Sequence, residues 1–364
     1  MIKILKIILI SILSVIVLFG LIVFRLFTVK IYDSQVQIRH MKNLIADYND
    51  DYEPVDESLF YDFDINDESV KLNDIQMLAS HNSYKGMSTA LGRFFVGIGD
   101  SFDEARALRY AYKNITDQLN LGVRSMEFDV RKRKSSFVLT HVPLVDNSSV
   151  APDFAMALEE IALYSEYNPN HLPIIILMEI KEDWMMLDHA LQVIDADVLM
   201  ELNELIELKL GDHLFSPGDM IEEGLSLKET IQTTGWPSVK SLQGKVIFIL
   251  HPNNKNDDYE ALDPTLKTQP MFIGSYADDL DHDYASFVIH NDVDVASIQD
   301  LVSQNFIVRT RIDESLIFDQ ARFMDAIESG AQILSSDFLT ARKDLKVDDT
   351  ITISGYMIIK REDS

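Results

Sequence analysis

Three short clusters in this chain carry residue types that move protons and hold cations: Ser80-His81-Asn82-Ser83, Glu127-Phe128-Asp129 and Thr140-His141. Glu127 and Asp129 stand two apart, so on a strand both carboxylates point to one face while Phe128 points to the other. Carboxylates held side by side repel unless a cation or a shared proton sits between them. A hard, oxygen-preferring cation such as Ca²⁺ suits the pair, with the amide oxygen of Asn82 as a further ligand. His81 and His141 are poor ligands for such an ion but titrate near neutral pH, so they read as the catalytic pair.

Each cluster closes a run of strand-type residues, and such runs recur along the chain. They are Ile75 to Leu78, Val123 to Phe128, Phe137 to Leu139, Ile174 to Ile180, Val246 to Leu250, Phe287 to Ile289, Phe306 to Val308 and Gln332 to Leu334. Continuous apolar runs separated by helix-length segments fit a parallel sheet buried on both faces. The expected fold is therefore α/β, a (β/α)₈ TIM barrel. The connection Arg131 to Ser136 is too short for a helix and reads as a hairpin, which makes the barrel irregular. In such a barrel the chemistry sits at the carboxyl ends of the strands. His81, Asn82, Glu127, Asp129, His141, Glu179 and Lys181 all lie at the ends of the first four runs.

Plainer roles compete at several positions. Glu127 and Asp129 could form an ion-pair ladder with Arg124 and Arg131, and Glu179 could pair with Lys181 or Arg124. Arg309 and Arg311, two apart, could grip a phosphate or pair with Asp337. His171 sits in a proline-bracketed turn where hydrogen bonding to the loop is its expected job. His251 and His290 end later runs and could line the mouth. Trp236 is expected to dock on the core and Trp184 to face lipid. Gly92 and Gly97 form no phosphate loop, because no strand precedes them.

Composition narrows the partners. With 59 acidic against 32 basic side chains and a formal charge of −27, nucleic acid is excluded as an expected partner. The same charge disfavours electrostatic adsorption to an anionic bilayer. There is no cysteine, hence no disulfide, thiolate metal site or cysteine nucleophile. Membrane contact is expected from the N-terminus instead. Ile7 to Phe24 is an uncharged run that would span about 27 Å as a helix, just enough for a hydrocarbon core. No small-x-small cleavage site follows it, so residues 1–30 read as a single-pass signal anchor in the cell membrane. The very short basic head favours the rest of the chain lying outside, although Arg25, Lys30, Arg39 and Lys42 offset Lys3 and Lys6. Residues 31–73 read as a short polar helix to about residue 46, continuing from the membrane, and an acidic linker, extended by self-repulsion, that holds the domain off the bilayer. The barrel is expected over 74–345, with 346–364 a tail or edge segment. No obligate protein partner is evident.

The motifs and their flanks resemble the Ca²⁺-dependent phosphatidylinositol-specific phospholipase C family in its bacterial and fungal form. The resemblance runs from about residue 74 to 340. Beyond the three clusters it includes Ile115 to Arg124, Asn168-Pro169-Asn170-His171-Leu172-Pro173, Gly235-Trp236-Pro237-Ser238, Val308 to Asp313 and Gly330 to Asp337. It implies Ca²⁺ held by Asn82, Glu127, Asp129 and Glu179; beside these, Lys181 reads as either an orienter of the carboxylates or a phosphate contact, and Arg309 as a candidate substrate contact. It also implies cleavage of a phosphatidylinositol-type lipid to diacylglycerol and a cyclic inositol phosphate. Glu127 or Glu179 would take the proton from the attacking hydroxyl, His81 would donate to the charged phosphoryl group, and His141 would protonate the leaving alkoxide. The nearest rival is a glycerophosphodiester phosphodiesterase, a group that resembles His-Arg-Gly where this chain has His81-Asn82-Ser83. A non-catalytic, Ca²⁺-dependent surface binding protein is the rival of another class.

Overall fold

A computed structural model of the chain describes residues 2–361. Its strands are β1 (Ile75–Ser80), β2 (Ser125–Arg133), β3 (Ser136–Leu139), β4 (Ile174–Ile180), β5 (Leu191–Gln192), β6 (Val246–Leu250), β7 (Met271–Tyr276), β8 (Phe287–Ile289), β9 (Ile307–Arg311), β10 (Asp313–Glu314), β11 (Ile317–Phe318), β12 (Ile333–Ser336) and β13 (Ile358–Lys360). The parallel strands β1, β2, β4, β6, β7, β8, β9 and β12 pair in that order, and β12 pairs back to β1, closing a barrel. Burial explains the closure. Along β4, Ile174, Ile175, Ile176, Leu177 and Met178 are all buried, so both faces of the strand need cover.

The helices are α1 (Ile2–Tyr48), α2 (Ala90–Gly99), α3 (Phe102–Ala107), α4 (Ile115–Leu119), α5 (Phe154–Tyr167), α6 (Ala196–Leu210), α7 (Leu227–Thr233), α8 (Asn256–Glu260), α9 (Val295–Ser303) and α10 (Gln320–Glu328). Asp153, Asp195 and Asp294 start α5, α6 and α9 by accepting a backbone N–H one turn ahead.

Two strand expectations change. Phe137–Leu139, counted above as a barrel stave, is β3, which pairs antiparallel to the far end of β2 and stands outside the ring. The stave that replaces it is β7, Met271-Phe272-Ile273-Gly274-Ser275-Tyr276, a run not among those expected above.

The N-terminal segment is helical where expected, the apolar span and the polar helix after it forming one helix, α1, of 47 residues, but its second half is docked on the domain. Its apolar start is exposed all round, whereas Leu26, Val29, Gln37, Met41, Leu44 and Tyr48 are buried. Gln37 exchanges hydrogen bonds with the Asp153 backbone at 2.9 and 3.0 Å, and Tyr48 stacks on Tyr167 of α5. Nor does the acidic stretch after it form a spacer. Glu57 is buried against Arg124, Phe60 lies over the Arg124 guanidinium, and Val70 and Leu72 are core residues. Charge counting missed the aromatic and aliphatic side chains set between the acids. Removing Glu57 would leave Arg124 buried without a counter-charge, a loss of about 3–5 kcal/mol.

Candidate active site

The carboxylates meet because of strand register. Asp129 on β2 lies directly beside Glu179 on β4, and Glu127 sits one alternation back on the same face of β2. One oxygen from each of the three falls within 4.8 Å of the others. Asn82, just past the end of β1, adopts φ +51°, a left-handed conformation that asparagine tolerates better than most residues. Its Nδ2 donates to the Tyr110 hydroxyl at 2.9 Å, and its buried Oδ1 has no partner. Asp129 is similar: Oδ2 accepts from the Tyr84 hydroxyl at 2.9 Å while Oδ1 is buried and unpaired. Buried oxygens without a donor, one of them within the three-carboxylate cluster, suit a cation.

The electrostatics agree. Burial raises the Asp129 carboxyl, Lys181 opposes this, and the Glu179 charge adds to the rise. Lys181 supplies the nearest positive charge, at 2.6 Å from Glu179 and 4.0 Å from Asp129. Burial also works against ionised Glu127, but Arg309, His81, His251 and Arg311 outweigh it and hold that carboxyl at about 2. The competing ion-pair ladder is not formed, since Arg124 turns to Glu57 and Arg131 to Asp183.

Each expected catalytic histidine is backed by a buried carboxylate. His81 Nδ1 lies 2.6 Å from Asp337 Oδ1. The groups nearest its Nε2 are Asn82 Nδ2 at 3.4 Å and Arg311 Nη1 at 3.5 Å. The Asp337 carboxylate can only accept, so Nδ1 carries a proton to it, while Nε2 faces the cage, with Glu127 Oε1 at 3.8 Å. His141 Nδ1 lies 2.9 Å from Asp146 Oδ2, and Asp146 is itself gripped by Lys85 Nζ at 2.8 Å and by Ser88. Burial opposes the Asp146 charge, yet Lys85 and His141 hold its carboxyl far below the usual range. Arg131 Nη2 donates to the His141 carbonyl at 2.6 Å, fixing the loop that carries this ring.

Other residues take the plainer roles. Arg309 is buried and engaged with Glu127 Oε2 at 2.6 Å, with Ser335 and with Asn291, so its guanidinium is not free to meet a phosphate as expected. His171 bonds Leu172 O and Ser165 within its loop. His251 lies near enough to Glu127 and Glu179 to feel both charges, whereas His290 meets Ser297.

The sequence profile of Ca²⁺-dependent phosphoinositide phospholipase C matches residues 70–136 and 131–362. The chain belongs to that family. It is therefore a phosphodiester-cleaving enzyme of a Ca²⁺-dependent kind. Solved structures of two bacterial members share its fold. A Ca²⁺-dependent phosphoinositol-specific phospholipase C from Pseudomonas sp., in complex with myoinositol, superposes with TM-score 0.58 at 16% identity, covering 81% of this chain and 97% of that one. The Ca²⁺-dependent phosphatidylinositol-specific phospholipase C of Streptomyces antibioticus gives TM-score 0.56 at 16% identity, covering 74% and 95%. Comparison with curated protein sequences finds no match.

Ca²⁺ fits the residues present. The donors are all oxygens, three carry charge, and two of the oxygens are otherwise unsatisfied. Sequence reasoning missed Asp146, Lys85, Tyr84 and Tyr110 altogether and saw Asp337 only as an arginine partner. Asp146 alone had a local signal, a carboxylate five residues after His141 across a proline turn.

Proposed function

We propose that the chain is a membrane-anchored, Ca²⁺-dependent phosphodiesterase that cleaves phosphatidylinositol-type lipids to diacylglycerol and cyclic inositol phosphate. The observation that carries this reading is the pair of histidines, each backed by its own buried carboxylate, at the barrel mouth that also holds the carboxylate cage. Asn82, Glu127, Asp129 and Glu179 would hold the ion. Bound there, Ca²⁺ would polarise the phosphoryl group and make the inositol 2-hydroxyl more acidic. The proton on that hydroxyl goes to His81 Nε2, oriented through Nδ1 by Asp337. Glu127 or Glu179 is the base expected above, with His81 donating to the phosphoryl group; both carboxylates are engaged here, Glu127 by Arg309 and Glu179 by Lys181, each at 2.6 Å, so on this reading the role passes to His81. Arg311, paired with Asp337 at 2.7 Å and beside His81, is placed to meet charge developing on the phosphoryl oxygens. His141 protonates the departing glycerol oxygen, with Asp146 stabilising the imidazolium. Lys181 keeps Glu179 and Asp129 in place and stands at the edge of the phosphate position.

Anchoring is supported by the freely exposed apolar start of α1 and by its docked second half. Leu26 O accepts from Asn147 Nδ2 at 3.2 Å, and Val29 is buried, so the helix continues from the apolar run into contact with the domain, which supports its retention. The barrel would lie on the extracytoplasmic side.

The test is to incubate the purified protein with inositol, choline and glycerol phosphodiesters, with Ca²⁺ or chelator, following products by phosphorus NMR. A cyclic inositol phosphate formed only with Ca²⁺ is expected. Ca²⁺ at a hundredfold excess over its Kd should also stabilise the fold by about 2.7 kcal/mol. Full activity in chelator with an unmoved melting temperature would sink the metal assignment, and preference for glycerol diesters would move the substrate to the rival group.

A further inference from the structure

An apolar groove lies between α1 and the rim of the barrel mouth. Ile22 and Val23 of α1 lie on one wall, and Val96 of α2, Leu144, Val145 and Met186 are among the residues facing them. Around it Phe94, Ile98, Trp184 and Met186 are exposed, at 52%, 62%, 46% and 68%. Such a cluster is uncommon on a surface that meets only water.

Two features say what covers it. First, Ile22 and Val23 belong to the apolar run Ile7 to Phe24. A helix of that length spans about 27 Å of a hydrocarbon core about 30 Å thick, so little of the run is left to stand above the bilayer. Residues packed against Ile22 and Val23 therefore lie at the depth of the upper acyl chains. Trp184 beside them is the side chain expected at that level. Second, Leu144 and Val145 lie on the loop between His141 and Asp146. The leaving oxygen that His141 protonates belongs to diacylglycerol, so the chains attached to it must depart on this side of the mouth.

We propose that the groove receives an acyl chain of the lipid being cleaved, drawn from the same bilayer that α1 crosses, so that the enzyme works in cis on its own membrane. This rests on the lipid-cleaving reading above. The rigid continuation of α1 into its docked half presses the rim onto that bilayer, and the apolar walls replace the chain's lipid surroundings as the headgroup is held over the cage.

The full-length protein is reconstituted either in vesicles of phosphatidylcholine with phosphatidylinositol, or in phosphatidylcholine vesicles then mixed with protein-free vesicles carrying the phosphatidylinositol. Hydrolysis should be faster by about tenfold or more in the first arrangement. The double variant Val96→Gln/Met186→Gln should raise KM for the long-chain lipid about tenfold, the cost of losing apolar cover from a few methylenes, and leave a soluble aryl inositol phosphodiester unaffected. Trp236 is buried, so phosphatidylcholine brominated on its acyl chains should quench Trp184 alone, and the quenching should vanish in Trp184→Phe. Equal rates in the two arrangements, or fluorescence insensitive to bromine, overturns the proposal. If no inositol lipid is cleaved in either arrangement, the substrate assignment falls, while quenching still decides whether lipid reaches the groove.

Discussion

The two histidine sites at the mouth solve the same problem from opposite structural positions. His81 sits on the frame: it follows β1, and its carboxylate, Asp337, follows β12, 256 residues later in sequence and next to it in the ring. His141 sits off the frame, beyond the β2–β3 hairpin, and takes its carboxylate from five residues along the same loop. Asp337 is shared with Arg311, whereas Asp146 is shared with buried Lys85. On the roles proposed above, the base needs a fixed distance to the nucleophile and the carboxylate cage, which the barrel wall would give it, and the acid would meet its departing group from a loop pinned from outside. Arg131 holds the His141 carbonyl, Asp33 of α1 accepts from Ser149 N at 3.0 Å, and α2 lies so close at Gly92 that a Cβ there would collide with the Val145 carbonyl.

The largest expected effect separates the two rings. His81→Ala and His141→Ala should each lose about 10² to 10⁴ in kcat/KM on the lipid. On an aryl inositol phosphodiester, whose leaving group departs unprotonated, His141→Ala should recover most of its activity and His81→Ala should not. Equal rescue of both, or rescue of His81→Ala alone, would show that the roles are misassigned.

The backing carboxylates sharpen the contrast. Asp146→Asn strands Lys85 in the interior and should cost about 3–5 kcal/mol of stability in urea unfolding, besides slowing the lipid reaction. Lys85→Met added to it should restore much of the stability and none of the rate. Asp337→Asn should cost less, because Arg311 keeps Asp313 at 3.7 Å.

The smallest effect concerns α1, which braces the loop side. His40 Nε2 meets buried Glu160 at 2.8 Å; burial lowers the His40 pKa, but the hydrogen bond and charge of Glu160 outweigh it and the net shift is upward. A raised folded value means that this pair stabilises fully below the ordinary histidine pKa of about 6.5 and is lost as pH rises through the folded value. The contribution should be on the order of 1 kcal/mol. Thermal melts of the wild type and His40→Gln should differ at pH 5.5 and converge in alkali; curves that stay parallel would remove the pair from the docking of α1.

Local pattern made much of this legible. Glu127 and Asp129 declared a shared face by spacing alone, and the long apolar β4 declared a stave buried on both sides. What distance in sequence conceals is pairing across the ring. Nothing near His81 points to Asp337, and nothing near Arg309 points to Glu127, so one lost its partner in the reading and the other gained a phosphate. The acidic linker misled for a different reason. Its charges dominate composition, but Phe60, Val70 and Leu72 decide where it lies, and a few buried apolar side chains outweigh many solvated acids. The missed β7 and the hairpin partner β3 are two errors that cancel in the count of staves.

The ring closes through β1, whose Met77 pairs with Ile333 on one side and Ile358 on the other. Both partners are made long after β1 itself. At about 5–20 residues per second, β1 waits tens of seconds on the ribosome for them. The apolar start of α1 emerges before any of the barrel and can enter a bilayer at once. If α1 anchors the chain as proposed, the connectivity sets the order of events: the chain would be tethered while its first strand still has an open edge, and the catalytic mouth would form at the surface it faces.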